Sequence, residues 1–251
     1  MMVGSREFRS VGTVLAGLDA VFAQAERPVR IDACSCCLRP DEIEVLLRTP
    51  RQLLSVEDIQ PYASVAMLGA GSAADLRYFT PRILELRHTG EMHFLDIEIV
   101  YDHMHRADWK SWPEAEAIVE LMEALWAEVL TDYPDSEDPG ALLPAFGTAV
   151  GTVAPNLASW SRLTTAAAVH SLRDFLTDEV KLRHGTLMPN NAFWNVDGDA
   201  HHEVIEWLNG GAARQAVDRA LARGTEDQDR SRSLVESHAV LAQVRAADHP
   251  T

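Results

Sequence analysis

Positive charge is scarce in this sequence. Lys and Arg together number 22 against 38 Asp and Glu, which gives a formal net charge of −16, and the only lysines are Lys110 and Lys181. A nucleic acid or an anionic membrane surface is bound through clusters of basic residues, because the ligand's phosphates are negative. We therefore expect no nucleic-acid partner and no membrane partner. A strongly acidic chain of this kind is compatible with a basic protein or peptide as its partner.

Long apolar runs are also missing. No stretch reaches the roughly 20 residues that cross a bilayer as a helix. Residues 11–22 are apolar, but Asp19 interrupts them, and their spacing fits an amphipathic helix better than a signal peptide. The cysteines, at positions 34, 36 and 37, fall within four residues and cannot form the disulfide framework of a small secreted protein. The sequence therefore predicts a cytoplasmic protein.

Several well-known catalytic motifs are absent from the sequence. There is no Gly-rich phosphate-binding loop, no Gly-x-Ser-x-Gly and no His-Glu-x-x-His, so nucleotide-binding, hydrolase and zinc-protease functions have no support. The adjacent histidine pairs, His103 with His105 and His201 with His202, lack the one-turn spacing that places two imidazoles on one helical face. We therefore expect a binding protein more than an enzyme.

The apolar residues recur mainly with helical spacing. Helices are predicted over residues 9–25, 92–104, 113–130, 164–182 and 231–246, among others, and an irregular loop over 187–198. At 92–104 a strand fits almost as well, and the helix is chosen because its neighbours are helical. The sequence predicts an all-α fold of about ten helices, as a bundle or a short irregular α-solenoid of helix pairs. We expect one helical domain over residues 1–251, with a possible subdomain boundary in the polar loop at 133–140.

The region after the cysteines contains residues that are typical of helix starts and prolines that bend helices. Ser55-x-x-Asp58 is typical of a capping box, in which the Ser and Asp side chains bind each other's backbone N–H groups. Ser72 is predicted to cap the following helix. Pro61 and Pro81 lie inside these two helices, where each removes a backbone hydrogen bond and favours a bend.

The cysteine cluster is the first candidate site. Cys34-x-x-Cys37 has the spacing of half a tetrahedral zinc site, with Cys36 as a further thiol, but there is no second Cys-x-x-Cys to complete it. The alternatives are reduced structural or reactive thiols, or a dithiol that closes to a disulfide. Asp32 and the Asp-Glu pair at 41–42 would disfavour thiolates here. The cluster supports a metal- or thiol-dependent enzyme or sensor, with zinc as the candidate metal at Cys34 and Cys37.

The second candidate site is acidic. Between Lys110 and Arg162 there is no Lys, Arg or His, and Glu116, Glu120 and Glu123 form a short stripe opposite the apolar face of their helix. Like charges at this spacing each cost a helix about a few tenths of a kcal/mol, which either a neighbouring arginine or a basic partner would offset. The sequence thus predicts an acidic helical module, of an inhibitor, immunity or adaptor type, that docks a basic protein or peptide. The alternative is a solvated acidic face.

The order of motifs resembles that of a protein family. Cys34-x-x-Cys37-x-x-Pro40-x-Glu42 is followed by Arg77-Tyr-Phe-x-Pro81-Arg-Ile-Leu-Glu-Leu86 and by Trp109-x-x-Trp112-Pro113. This order is similar to that of uncharacterised, mainly actinobacterial, helical proteins. A His often precedes the first Cys in such proteins, where this chain has Ala33. The resemblance implies one continuous helical unit and no particular activity or cofactor.

Overall fold

The computed structural model describes residues 9–244, and this part of the chain is mainly helical. It contains 12 α-helices and one two-stranded sheet, and 64% of these described residues are helical. The helical class expected from the sequence is confirmed. The expectation of a purely all-α protein is wrong, because residues 180–189 form a β-hairpin.

The elements follow one another with short connections. The first six helices are α1 (Val11–Val21), α2 (Pro40–Arg48), α3 (Val56–Val65), α4 (Ala73–His88), α5 (Ile97–Arg106) and α6 (Ala115–Thr131). They are followed by α7 (Pro139–Val150), α8 (Ala154–Trp160), α9 (Ala166–Asp174), strands β1 (Val180–Arg183) and β2 (Thr186–Pro189), α10 (Asp199–Asn209), α11 (Ala212–Arg223) and α12 (Gln228–Leu241). Short 3-10 turns lie at Phe22–Gln24, Arg51–Leu53 and Trp109–Ser111, and one π turn at Phe175–Glu179. Between Arg9 and Val244, no helix is both long and apolar enough to cross a membrane.

Contacts within the chain define two compact units, one up to Ala124 and one from Leu125 onward. In the first unit α4 packs against α1, α3 and α5, and α2 packs against α3. In the second unit α10 packs against α7, α8 and α11, while α12 packs against α9 and α11. The expected single domain with a boundary at 133–140 stays a prediction.

Capping boxes begin two helices of the first unit, as the sequence predicts. The Ser55 hydroxyl accepts from the Asp58 N–H at 3.3 Å, and the Asp58 carboxylate accepts from the Ser55 N–H at 2.9 Å. Ser72 and Asp75 make the same exchange, at 3.3 and 2.7 Å. Each exchange satisfies two backbone N–H groups that the first turn would otherwise leave without partners.

Most other helix predictions agree with the structure to within a few residues. Pro61 and Pro81 lie inside α3 and α4, and the choice of helix over strand is confirmed by α5. The helix predicted at 113–130 is α6. The helix predicted at 231–246 corresponds to α12. Residues 245 and 246 of that prediction lie outside the described part of the chain.

A buried arginine joins α1 to α4. The Arg51 side chain is 4% exposed, and its Nε donates to the Asp19 carboxylate at 2.7 Å. Its two terminal nitrogens donate to the backbone carbonyls of Asp19, Phe22 and Tyr78 at 3.0–3.2 Å. One guanidinium therefore satisfies carbonyls at the C-terminal end of α1 and within α4, which fixes the relative position of these two helices.

The β-hairpin corrects two sequence predictions. The helix expected over 164–182 ends earlier, because β1 begins at Val180, and the irregular loop expected from 187 begins instead with β2. The turn residues His184 and Gly185 have φ values of 51° and 85°. Two consecutive positive φ angles are the conformation whose twist matches a tight hairpin. Asn209, the last residue of α10, holds β2 in place, because its side chain both accepts from the backbone N–H and donates to the carbonyl of Leu187 at 2.9 Å.

Three tryptophans form the centre of the second unit. Trp160 is fully buried and lies nearly parallel to Trp207, with ring centroids 5.7 Å apart and 13° between the planes. Trp126 meets the Trp160 ring edge-on at 5.4 Å. The Trp160 Nε1 donates to the Ala168 carbonyl at 3.0 Å, so this buried polar group is satisfied.

Candidate functional site

The three cysteines lie together on one turn between α1 and α2. Cys34 and Cys37 form a disulfide, with Cα atoms 5.3 Å apart, a separation within the usual disulfide range. The Cys36 Sγ lies 3.2 Å from the Sγ of Cys34 and 3.8 Å from that of Cys37. Cys34 and Cys36 are exposed and Cys37 is half-buried. Of the alternatives offered by the sequence, the disulfide is the one that Cys34 and Cys37 adopt in this structure, and Cys36 keeps a free thiol.

Backbone hydrogen bonds attach this turn to the connection between α3 and α4. The Cys34 N–H donates to the Gly69 carbonyl at 3.0 Å, and the Gly71 N–H donates to the Asp32 carbonyl at 2.8 Å. The Cys37 N–H donates to the Cys34 carbonyl at 3.0 Å, which closes the turn. The sulfurs are thus carried by a loop that two helices hold in position.

Two glycines make this attachment possible. A Cβ atom at Gly69 would lie 2.5 Å from the Cys37 Sγ and 3.4 Å from the Cys34 Sγ. Gly71 has a φ of +72°, and a Cβ there would lie 2.8 Å from the hydroxyl of the buried Tyr62. A side chain at either position would push the connecting segment away from the disulfide or from α3.

Arginines accompany the carboxylates that flank the cysteines. Arg30 pairs with Asp32 at 2.7 Å, and Arg39 pairs with Asp41 at 3.3 Å and with Glu42 at 2.8 Å. From the sequence alone these carboxylates are unopposed negative charges next to the sulfurs. In the structure each carboxylate has an arginine partner that offsets its charge.

The sulfur cluster can take part in two kinds of chemistry. A free thiol next to a disulfide is the arrangement required for thiol–disulfide exchange. The three sulfurs also lie within 4.8 Å of one another, so the predicted metal ligands Cys34 and Cys37 are together and Cys36 joins them. Within residues 9–244, no histidine or carboxylate completes this group as a fourth ligand. The predicted four-ligand zinc site is therefore incomplete in the described part of the chain.

Comparison of the chain with protein-family models, with curated proteins and with solved structures found no match in any of the three. The resemblance to uncharacterised actinobacterial proteins therefore stays a prediction.

The acidic stripe of α6 is less exposed than the sequence suggests. Of its three residues Glu116 is exposed, whereas Glu120 and Glu123 are half-buried. Arg9 donates from Nε and Nη2 to the two carboxylate oxygens of Glu120, at 2.6 and 2.5 Å. This hydrogen bonding raises the pKa of Arg9 above its ordinary value. The sequence suggested that either an arginine of the chain or a basic partner offsets the repulsion between these glutamates. The structure contains such an arginine, Arg9.

A further acidic residue near the start of α6 has a structural role. Glu114 is 3% exposed and accepts two hydrogen bonds from Arg77 of α4, at 2.9 and 2.7 Å. Hydrogen bonding to Glu114 raises the pKa of Arg77. In the sequence this glutamate is only one member of an acidic region, because a partner 37 residues away leaves no local signal.

The second unit contains a group of carboxylates that the sequence did not single out. Burial raises the pKa of Asp138, which caps α7 through the Gly140 N–H at 2.9 Å, and burial also raises the pKa of Glu179. The Tyr133 hydroxyl donates to the Asp174 carboxylate at 2.7 Å. These contacts cap a helix and join the connection between α6 and α7 to the end of α9, so they have a structural explanation.

Proposed function

We propose that this chain is a cytoplasmic thiol–disulfide sensor in which Cys34 and Cys37 alternate between a dithiol and a disulfide. The observation that supports it is a disulfide on an exposed turn with the free thiol of Cys36 3.2 Å from one of its sulfurs. Disulfides in a reducing compartment are usually transient and either catalytic or redox-sensing. Exposure of Cys34 gives an external thiol access to the bond.

The redox step involves two electrons. An external thiolate attacks the disulfide and forms a mixed disulfide, and a second external thiol then releases it. Cys34 and Cys37 gain two electrons and two protons in total, while the two external thiols become a disulfide. Cys36 offers an internal alternative, in which its thiolate attacks the Cys34 Sγ, forms a Cys34–Cys36 disulfide and releases the Cys37 thiolate. The internal step leaves the number of electrons unchanged.

The redox state affects the connection between α3 and α4. In the disulfide form the Cys37 sulfur is held against Gly69, where there is no space for a Cβ atom. Reduction lets the Cys37 side chain rotate away from Gly69. The hydrogen bond that the Cys34 N–H donates to the Gly69 carbonyl can remain. The residues just before α4 therefore have different neighbours in the two states, and this difference is what a partner would detect.

Equilibration of the full chain in glutathione buffers of defined potential tests this proposal. Alkylation of free thiols followed by mass spectrometry reports the fraction of chains that carry the disulfide. We expect one two-electron transition between about −180 and −320 mV, the span of cellular glutathione potentials. The transition should persist in Cys36→Ser and disappear in the double variant of Cys34→Ser with Cys37→Ser, which leaves Cys36 without a partner thiol in the cluster. A Cys34–Cys37 pair that stays fully oxidised or fully reduced throughout this span would overturn the proposal.

A second candidate function is the docking of a basic protein or peptide on the acidic stripe of α6. It is supported by the exposure of Glu116 and by the absence of Lys, Arg and His between Lys110 and Arg162. The pairing of Glu120 with Arg9 reduces the net negative charge of this surface, so Glu116 carries more of the expected attraction than its neighbours.

Charge reversal tests the second candidate. Glu116→Lys, alone and together with reversal of Glu120 and Glu123, should weaken retention of a basic partner from the native host at low salt, and added salt should weaken wild-type retention as well. Glu226→Lys is a matched control, because Glu226 is also exposed and lies in the other unit. Undiminished binding by the triple reversal would contradict this function.

A further inference from the structure

The donor set of the cysteine cluster determines which ions it suits. Cys34, Cys36 and Cys37 form the one group of three or more metal-ligating side chains within 4.8 Å of one another among the described residues, and all its donors are sulfurs. Thiolates are soft ligands and select soft ions such as Cu(I), whereas hard ions prefer oxygen ligands. The composition of the cluster therefore excludes magnesium and calcium.

The number of donors distinguishes copper from structural zinc. Structural zinc sites almost always have four protein ligands, and the described residues bring only three donors together here. Cu(I) has a filled d shell and is stable with two or three thiolates, so three sulfurs complete its coordination. Three thiolates around one metal in a trigonal plane, at a metal–sulfur distance of about 2.3 Å, lie about 4.0 Å apart. The sulfurs of Cys36 and Cys37, 3.8 Å apart, are already close to this separation.

We propose that the reduced cluster of Cys34, Cys36 and Cys37 binds one Cu(I) ion through three thiolates. The proposal rests on the function proposed above, because the Cys34–Cys37 disulfide must first open. Two electrons and two protons from a thiol pair give the dithiol, and one Cu(I) ion then displaces three protons to form a tris-thiolate complex. An external disulfide can accept two electrons from Cys34 and Cys37 and become two thiolates, and the Cys34–Cys37 disulfide that forms removes two of the three ligands and releases the ion.

The surroundings of the turn suit reversible binding of an ion. Cys34 and Cys36 are exposed, so the ion can be delivered by another thiol ligand without unfolding the chain. The hydrogen bond from the Cys34 N–H to the Gly69 carbonyl involves no sulfur atom, so opening the disulfide does not by itself break this attachment. Only side-chain rotations are needed to move the sulfurs from a disulfide to a three-sulfur site, because all three cysteines belong to one turn.

Copper competition on the full reduced chain tests the proposal. The protein is reduced with dithiothreitol, desalted without oxygen and titrated against Cu(I) held by bathocuproine disulfonate, whose copper complex absorbs visible light. We expect wild type to withdraw one Cu(I) per chain, and X-ray absorption to show a shell of three sulfurs. Cys36→Ser should lower the copper affinity by more than about tenfold, since even the loss of an outer-shell group costs that much.

Cys36→Ser also separates this inference from the proposed function. It removes one copper ligand and leaves the Cys34–Cys37 pair able to cycle between dithiol and disulfide. Equal copper affinity of wild type and Cys36→Ser would overturn the three-thiolate site while leaving the sensor proposal intact. Tighter binding of Zn²⁺ than of Cu(I) in a parallel titration would overturn the choice of ion. A wild-type cluster that stays fully oxidised throughout the glutathione series would overturn both proposals, whereas one that stays fully reduced would overturn the sensor and leave the copper site to the titration.

Discussion

Substitution of Gly69 by alanine tests whether the turn and the α3–α4 connection act together on the disulfide. The new Cβ would lie 2.5 Å from the Cys37 Sγ and 3.2 Å from its Cβ. Insertion of a methyl group into a filled space costs about 1–3 kcal/mol. Most of this strain belongs to the oxidised form, because the reduced Cys37 side chain can rotate away from residue 69.

Strain that is confined to the oxidised form raises the reduction potential. For a two-electron couple 30 mV corresponds to about 1.4 kcal/mol, so 1–3 kcal/mol predicts an increase of about 20–65 mV for Gly69→Ala. The measurement is the same glutathione titration, with far-UV circular dichroism to confirm that the variant is folded.

Gly17→Ala is the matched control. Gly17 lies in α1, and a Cβ atom there would have no neighbour within 4 Å. The reduction potential of Gly17→Ala should equal that of the wild type. Its free energy of unfolding should rise by about 0.5–1 kcal/mol, because alanine has a higher helix propensity than glycine. If a folded Gly69→Ala has the wild-type reduction potential, then Gly69 does not constrain the disulfide. The proposed effect of the redox state on the connection between α3 and α4 is then wrong.

Three further substitutions test the framework around the sites. Glu114→Gln should lower the free energy of unfolding in urea by about 3 kcal/mol, at the lower end for broken buried pairs because Arg77 is 25% exposed. Burial lowers the pKa of His103 below its ordinary 6.5. The unfolded chain therefore binds a proton at this histidine at a higher pH than the folded chain does, so stability is lost as the pH falls below 6.5. His103→Asn should flatten this decline of the unfolding free energy between about pH 7 and 5. Asn209→Ala should cost about 1–3 kcal/mol and increase amide hydrogen exchange in β2.

Each of these expectations has an outcome that contradicts it. Glu116→Gln is the control for Glu114, since an exposed substitution in the same region should change stability by less than about 0.5 kcal/mol; equal losses would argue against a buried pair. An unchanged pH slope in His103→Asn would show that this histidine is not responsible for the acid sensitivity. Wild-type amide protection in Asn209→Ala would show that the hairpin does not depend on α10.

The helices were predictable wherever local signals agreed. Capping at Ser55 and Ser72 depends on residues three positions apart, so the sequence contains the whole interaction. The hairpin was not predictable in this way. His184-Gly185 is an unusual turn pair, and the anchor of β2 is Asn209, which comes 22 residues after the backbone group that it binds. The apolar residues before the turn therefore resembled the end of a helix.

The sequence was enough to predict the kind of chemistry that the cysteines support, but not the residues that surround the candidate sites. The spacing of Cys34 and Cys37 indicated metal or thiol chemistry, and the structure brings Cys36 into the same group. The role of Gly69 depends on a contact across more than thirty residues, and that of Arg9 on one across 111. Such pairs form only when helices pack, so they leave no periodicity in a single sequence.

The parallel arrangement of Trp160 and Trp207 has a spectroscopic consequence. Two indoles whose ring planes are 13° apart and whose centroids are 5.7 Å apart couple their electronic transitions, and the coupling depends steeply on distance and angle. We expect a split band of opposite signs in the ultraviolet circular dichroism, and Trp207→Phe should change it to the signal of the remaining Trp126–Trp160 pair. Both indoles lie beyond Leu125, so this band is an optical report on that unit alone. Its melting curve can be compared directly with the loss of helical signal from the whole chain.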